Sequence, residues 1–292
     1  MSTRGRGFMF FTGGAVLWLF AAAAFSQEEP LMSKIEAIES YLATAPVVAI
    51  EKDVEPGRTM PWRLTLDDGR IRGRALFKYI DRRTALPTRH SYRYELAAYA
   101  LSRLLELEII PPVVEREIEG TRGSLQWYLE NCRSLRDRER LKEEPLVRSD
   151  FLDELADVQI FEFLTADECG DKDDTLVHMD SWKICRVDFS EAFRPGTELP
   201  ASCVFHRCSR SLFHRLESLT LAALTSRLDA FLQPDEIAAL FVRSRRVAGI
   251  IRGRIREQGE TAGGGKPVNV VMTFLEQTAR GGQSSGESKI SE

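Results

Sequence analysis

The chain is 292 residues long, 43% hydrophobic, with 40 Lys and Arg against 44 Asp and Glu and a formal charge of −4. That length suits one large or two small domains with a substantial core. The mildly acidic balance excludes a global attraction for nucleic acid.

Met1 to Gln27 carries Arg4 and Arg6, no acid, then the apolar run Phe8–Phe25 and small residues near Ala24-Phe25-Ser26. Charged start, apolar middle and small-residue end are the layout of a secretory signal over residues 1–26, so the protein is expected to be exported. An uncleaved anchor is the competing reading, since the apolar run approaches the roughly 20 residues needed to span a bilayer. Gly13-Gly14 and the shortness of the run favour cleavage, and membrane contact is expected only through this segment if it is kept. Its removal takes away two Arg and no acid, moving the formal charge from −4 to −6.

Residues 27–44 predict a leading helix through Leu31, Ile35, Ile38 and Leu42. Val47–Ile50 reads as a strand, Val54–Pro61 as a loop, and Trp62–Leu66 as an alternating strand. Asp67-Asp68-Gly69 signals a hairpin turn, and Arg74–Ile80 returns as the partner strand with Lys78 in an otherwise apolar run. Residues 92–107 predict an amphipathic helix stopped by Pro111-Pro112. Val113–Ile118 and Ser124–Tyr128 are strands around a Gly120–Gly123 turn. The charged stretch 131–148 reads as a solvated connection, the usual fate of such runs. Beyond it the chain turns mostly helical: 149–164, then leucines at near-helical spacing over 211–232, then 236–258 opened by Gln233-Pro234-Asp235-Glu236. The arginines of that last helix are expected in water, and residues 259–292, rich in Gly and Ser, are expected to be largely flexible.

Cysteine is sparse and odd in number: Cys132, Cys169, Cys185, Cys203 and Cys208. In an oxidising compartment this leaves a free thiol if the others pair. Cys203 and Cys208 are close enough to bond, and with His206 they also have a metal-like spacing that lacks a second ligand pair. The four histidines share no nucleophile spacing with a Ser or Cys, and Gly-x-Ser-x-Gly and His-Glu-x-x-His are absent.

The stretch Phe161–Arg194 is the richest in chemistry. An apolar helix end runs into a loop crowded with Asp167, Glu168, Asp171, Asp173 and Asp174, followed by two short strand-like pieces ending in Val187-Asp188-Phe189. Carboxylates after a loop and at the end of a hairpin are what phosphoryl transfer uses to hold Mg²⁺ against a nucleotide's phosphates. A solvated loop and a calcium site are the alternatives, although an EF-hand's Gly and distal Glu are missing. A lysine in a half-buried strand needs a partner charge, and Glu95 in the following helix is the nearest candidate. The alternative for Lys78 is an edge strand with its amine in solvent.

The pieces Trp62–Lys78, Tyr94–Tyr99, Ile109–Val114, Arg122–Trp127, Trp182-Lys183-Ile184, Val187-Asp188 and Ala192-Phe193-Arg194, in this order, resemble the atypical kinase superfamily. That group includes secretory-pathway Fam-twenty kinases, HipA-like kinases and phosphatidylinositol 3-/4-kinases, and the likeness is nearest to exported bacterial members. The resemblance spans about 45–255. It implies an α+β, bilobal, protein-kinase-like fold with a β-rich N-terminal lobe over 45–130 and a helical C-terminal lobe over 149–258. It implies binding of ATP with Mg²⁺ or Mn²⁺ and transfer to a hydroxyl acceptor on protein, lipid or sugar. By the same resemblance Lys78 contacts the phosphates, Glu95 orients it, and Gly57, Arg58 and Thr59 lie in the phosphate-covering loop. Gln126 and Tyr128 lie beside the adenine, and Asp174 and Asp188 hold the metal.

The chain departs from the group in the catalytic loop. Where relatives carry the catalytic Asp, this sequence has Cys169, which needs a strongly lowered pKa to accept a hydroxyl proton, while nearby acids raise it. One residue is inserted before Trp182, so the loop's register moves by one or two and Asp171 or Asp167 can then serve as the base. The two expectations are a phosphotransferase, or an inactive pseudokinase that acts as a binding or scaffolding module.

Overall fold

The computed structural model describes residues 31–52, 60–83, 89–145, 148–167, 171–198 and 207–261. Helix α1 (Leu31–Thr44) precedes β1 (Val47–Glu51), β2 (Trp62–Asp67) and β3 (Arg72–Lys78). The short pair β4 (Asp81–Arg82) and β5 (His90–Ser91) leads directly into α2 (Tyr92–Leu104). With β6 (Val113–Ile118) and β7 (Thr121–Trp127), an antiparallel sheet of five strands forms in the order β1-β2-β3-β7-β6. Lys78 therefore ends the central strand, not an edge.

The turn between β6 and β7 is tighter than the sequence suggested. Ile118 pairs with Thr121, leaving Glu119-Gly120 as a two-residue turn with φ of 50° and 74°, the doubly positive pattern of a type I′ hairpin. Gly123, expected in that turn, lies within β7. A Cβ there would come 2.3 Å from the Lys78 carbonyl oxygen, so this position lets β7 press closely on β3.

Strand periodicity decides which side chains reach the site. Leu64 and Leu66 of β2, Ala75 and Phe77 of β3 and Leu125 of β7 face one way, into a core closed by Tyr41 and Leu42 of α1. Successive side chains alternate across a strand, so Leu76, Lys78 and Gln126 are delivered to the opposite face. Leu76 and Gln126 are register partners, which sets them side by side there.

A second core lies beyond that face. It is built from α2, α4 (Arg148–Thr165), α5 (Arg210–Ser218), α6 (Leu221–Leu228) and α7 (Pro234–Thr261). A small antiparallel sheet, β10-β9-β8, stands beside it, made of β8 (Cys132–Ser134), β9 (Thr175–His178) and β10 (Ile184–Arg186), with the short helix α3 (Leu135–Arg140) following β8. The whole is a mixed α+β arrangement with antiparallel sheets. No helix among the described residues is long and apolar enough to cross a membrane.

Three expectations are corrected. The charged stretch 131–148 is not simply a solvated connection: it holds β8 and α3, and Arg138 is 2% exposed. That guanidinium lies 3.8 Å from the centre of the Trp182 ring and donates to the His178 carbonyl at 2.8 Å, contacts made by residues far along the chain. The leucines of 211–232 belong to two helices, because Thr220 caps α6 by accepting from the Ala223 N–H at 3.1 Å. Arg243 of α7 is fully buried rather than in water, and donates to the carbonyls of Leu164 at 2.8 Å, Arg194 at 2.9 Å and Gly196.

Candidate functional site

The site is built where the central strand, α2 and the β9–β10 hairpin meet. Lys78 Nζ donates to Glu95 Oε1 at 2.7 Å and to Asp188 Oδ1 at 2.8 Å. Glu95 is placed by the start of α2. Ser91 caps that helix through the Arg93 N–H, its own N–H donates to the Ser190 carbonyl at 2.9 Å, and Tyr92 N–H donates to the Ile80 carbonyl at 2.8 Å. The helix is thereby tied at its first residue both to the continuation of β3 and to the loop carrying Asp188. One turn in, Glu95 faces Lys78 and also accepts from the Phe189 N–H at 3.2 Å.

Asp188 adopts φ +59°, a left-handed conformation that Asp tolerates better than most residues because its short side chain bonds locally. Here Oδ1 accepts from Ser190 Oγ at 2.8 Å and Ser190 N–H at 3.3 Å, besides Lys78. These three bonds all fall on Oδ1, and the Asp188 side chain is 41% exposed while Glu95 is 3% exposed. The pair thus consists of a closed carboxylate and an open one.

The hairpin explains why Asp174 joins them. Thr175 pairs with Arg186, and Val187 N–H donates to the Asp174 carbonyl at 3.0 Å, so Asp174 and Asp188 stand at the same end of β9–β10. Both line a cleft of about 480 Å³, within the range of small-molecule sites. Lys78, His90, Ser190 and Glu191 line it with them. Leu76, Leu129, Leu176 and Val187 supply apolar wall, with Gln126 and Tyr128 alongside. The Gln126 side-chain nitrogen is buried with no hydrogen-bond partner among the described residues. The Tyr128 ring lies under the guanidinium of Arg74 at 4.5 Å.

Electrostatics separate the three carboxyls. Burial pushes Glu95 up, opposed by Lys78. Burial also opposes ionisation of Asp188, but Lys78 and the Ser190 bonds outweigh it and hold the carboxyl well below the usual range. Lys78 in turn is raised, because the two carboxylates overcome the cost of burying an ammonium. Asp174 has no such partner at bonding distance. Burial pushes it up to about 7, with Arg186 opposing from 3.6 Å and Asp188 and Asp171 adding to the rise.

The two candidate bases sit elsewhere, and neither lines the cleft. Asp167 is 8% exposed and holds Arg186 at 2.9 Å, in a buried cluster that includes Glu162, also at 2.9 Å from Arg186. Asp171 folds its own loop, Oδ1 accepting from the N–H groups of Asp173 at 2.9 Å and Asp174 at 3.4 Å. Cys169, the loop residues Gly57, Arg58 and Thr59, and Cys203 and His206 lie outside the described residues. Cys132, Cys185 and Cys208 carry free thiols. Burial raises all three, Cys185 and Cys208 to about 12, so they are held as unreactive thiols. Among the described residues no three His, Cys, Asp or Glu side chains form a metal-binding group.

Sequence reasoning missed His90 and Glu191 as cleft residues. The signals were weak: His90 immediately precedes the helix cap Ser91, and Glu191 follows Asp188 by three residues.

No protein-family model matches the chain, and no curated protein matches it. Among solved structures the chain is similar to the Helicobacter pylori proinflammatory kinase CtkA, over 70% of this chain and 92% of that one. The identity is 6% and the TM-score 0.44, a weak likeness in the course of the chain on which no side-chain role depends.

Proposed function

We infer that the chain is an exported, kinase-like protein with a bilobal arrangement, which binds ATP and a divalent cation in the cleft between the five-stranded sheet and the helices. The observation that carries this reading is the position of Lys78. Its buried ammonium joins the closed carboxylate of Glu95 to the open one of Asp188 on the floor of the cleft. An ammonium held in this way can turn to phosphate oxygens without losing all its counter-charge. Mg²⁺ or Mn²⁺ would be held by Asp188 and Asp174. The residues present fit such an ion: Asp188 has its bonds on one oxygen, and Asp174 is a carboxyl that burial makes costly to ionise. A bound cation supplies counter-charge to phosphates there. Gln126 and Tyr128 stand where a nucleobase would meet an apolar wall, and the buried amide nitrogen of Gln126 offers it a donor.

A second reading, a nucleotide-binding pseudokinase that transfers nothing, is favoured by one observation. Asp167 is committed to Arg186 and Asp171 to its own loop, so neither stands ready to accept a proton.

The test is the thermal shift of the purified chain with ATP and Mg²⁺ or Mn²⁺, beside Asp188→Ala and Lys78→Met. Ligand at a hundred times its dissociation constant stabilises by about 2.7 kcal/mol. The expected result is a rise in melting temperature for the native chain and no ligand-induced rise in either variant. No rise with either cation would overturn the nucleotide site.

A further inference from the structure

We propose that Glu191, backed by His90, is the group that accepts the hydroxyl proton during transfer, a role for which neither Asp167 nor Asp171 is placed. This rests on the nucleotide-binding reading above.

Four carboxylates line the cleft: Asp173, Asp174, Asp188 and Glu191. Asp188 is bonded to Lys78, and Asp174 shares the hairpin end with it, so these two belong with the cation and phosphates. Asp173 is 61% exposed and holds Arg136 at 2.6 Å in an ion pair in solvent. Glu191 stands in a different place. It follows Ser190, whose carbonyl anchors the start of α2, and so lies against β5 at the same end of the cleft as Lys78 and Asp188. Its side chain is 35% exposed, open enough to meet a second substrate.

The independent observation is the histidine behind it. The His90 side chain is 7% exposed and lines the same cleft, with Nδ1 3.5 Å from Glu191 Oε1. Neither of its ring nitrogens has a hydrogen-bond partner among the described residues. A buried imidazole with no hydrogen bonds is costly unless something completes it, and among the described residues the carboxylate of Glu191 stands beside it. Arg194 approaches the other oxygen, Oε2, at 3.7 Å. Held between a buried imidazole and an arginine, the carboxylate is restricted in direction while one side faces the cleft.

The chemistry balances without a further reagent. The acceptor's O–H bond breaks and its proton passes to the Glu191 carboxylate. The oxygen's electron pair forms the new bond to the γ-phosphorus, and the bond from that phosphorus to the β,γ-bridging oxygen breaks with its pair leaving on ADP. The proton is then released to water. His90 is a positioning residue, acting through Glu191.

The experiment uses the purified chain, Mn²⁺ and γ-labelled ATP, reading phosphate transferred to water or to the chain's own hydroxyls, with the nucleotide-induced thermal shift measured in parallel. Positioned proton acceptors contribute roughly 10²–10⁴-fold, so Glu191→Gln is expected to lose at least about 100-fold in turnover while keeping the thermal shift. Glu191→Ala is expected to lose as much and to recover in part with added formate, which a purely structural role would not allow. His90→Gln, which retains a donor, is expected to lose less than His90→Phe. Turnover in Glu191→Gln equal to that of the native chain would overturn the proposal. So would a native chain that shows the thermal shift but no turnover, which leaves the nucleotide site standing. A native chain with neither removes the nucleotide reading itself.

Discussion

Two buried cations in this molecule each hydrogen-bond two carboxylates, and they do opposite things. Arg186 sits with Glu162 and Asp167, and the three side chains are 1%, 1% and 8% exposed. Lys78 sits with Glu95 and Asp188, where the first carboxylate is as closed as those but the second is 41% exposed. The chemistry of the cations fits the division. A guanidinium has five donors in a fixed fork, and Arg186 spends them on Glu162, Asp167 and the Val187 carbonyl, locking the end of α4 to the hairpin. An ammonium is a compact charge with three donors, and the two bonds of Lys78 leave capacity for a third partner. The closed cluster sets the geometry of the hairpin that carries Asp174 and Asp188. On the function proposed above, the open one would meet the ligand.

The comparison is broken most directly by removing each cation. Arg186→Met takes from Glu162 and Asp167 the buried guanidinium that bonds both, and losing one partner of a buried pair costs about 3–5 kcal/mol. The expected loss in denaturant unfolding at neutral pH lies at or above the top of that range, because two buried carboxylates lose the same partner at once. Lys78→Met strands only Glu95, since Asp188 reaches water, and its expected cost is about 3 kcal/mol. A larger loss for Lys78→Met than for Arg186→Met would reverse the assignment of which cluster carries the fold. Ligand response sharpens the contrast, because it is expected to vanish with Lys78→Met. The smaller unfolding cost would thus accompany the larger functional one.

Much of the open cluster was legible in the sequence, and almost none of the closed one. Lys78 announced itself as a charge inside an apolar strand, and Glu95 as the nearest acid on an amphipathic helix. Asp188 was marked by its place at the end of the hairpin, while Asp174 was picked out of the acidic loop only by the resemblance. Their contacts are tertiary, since Glu95 and Asp188 lie 17 and 110 residues from Lys78, but each residue carried a signal of its own. The partners of Arg186 did not, because Glu162 and Asp167 sit among other charges and meet it only when α4 docks on β10. The same limit applies to Arg138, whose burial depends on Trp182, and to Arg243, whose three carbonyl acceptors come from two separated segments. In each case a charged residue at a charge-rich position looked solvated, because its desolvation is offset by groups that only the tertiary fold assembles. His90 and Glu191 escaped for a related reason. A lone His and a lone Glu about a hundred residues apart carry no spacing signal.

The finest distinction between the two clusters concerns Asp174, which touches both: Arg186 approaches it at 3.6 Å, and it shares the cleft with Asp188. Burial pushes its carboxyl up from 3.8 to about 7. Between those values the folded chain keeps a proton there that the unfolded chain has lost. Stability from this group therefore falls as pH rises through the window, and the penalty is complete above it. Asp188 contributes no slope there, because Lys78 holds it ionised throughout. Asp174→Asn is expected to remove the slope, so its melting temperature relative to the native chain should rise between pH 5 and pH 8. Mn²⁺ should act in the opposite sense on the native chain. An ion bound to the ionised carboxylate relieves the penalty only where it exists, so its stabilisation should be larger at pH 8 than at pH 5 and smaller in Asp174→Asn. A Mn²⁺ effect that is equal at both pH values would separate Asp174 from the cation site and leave Asp188 to hold the ion without it.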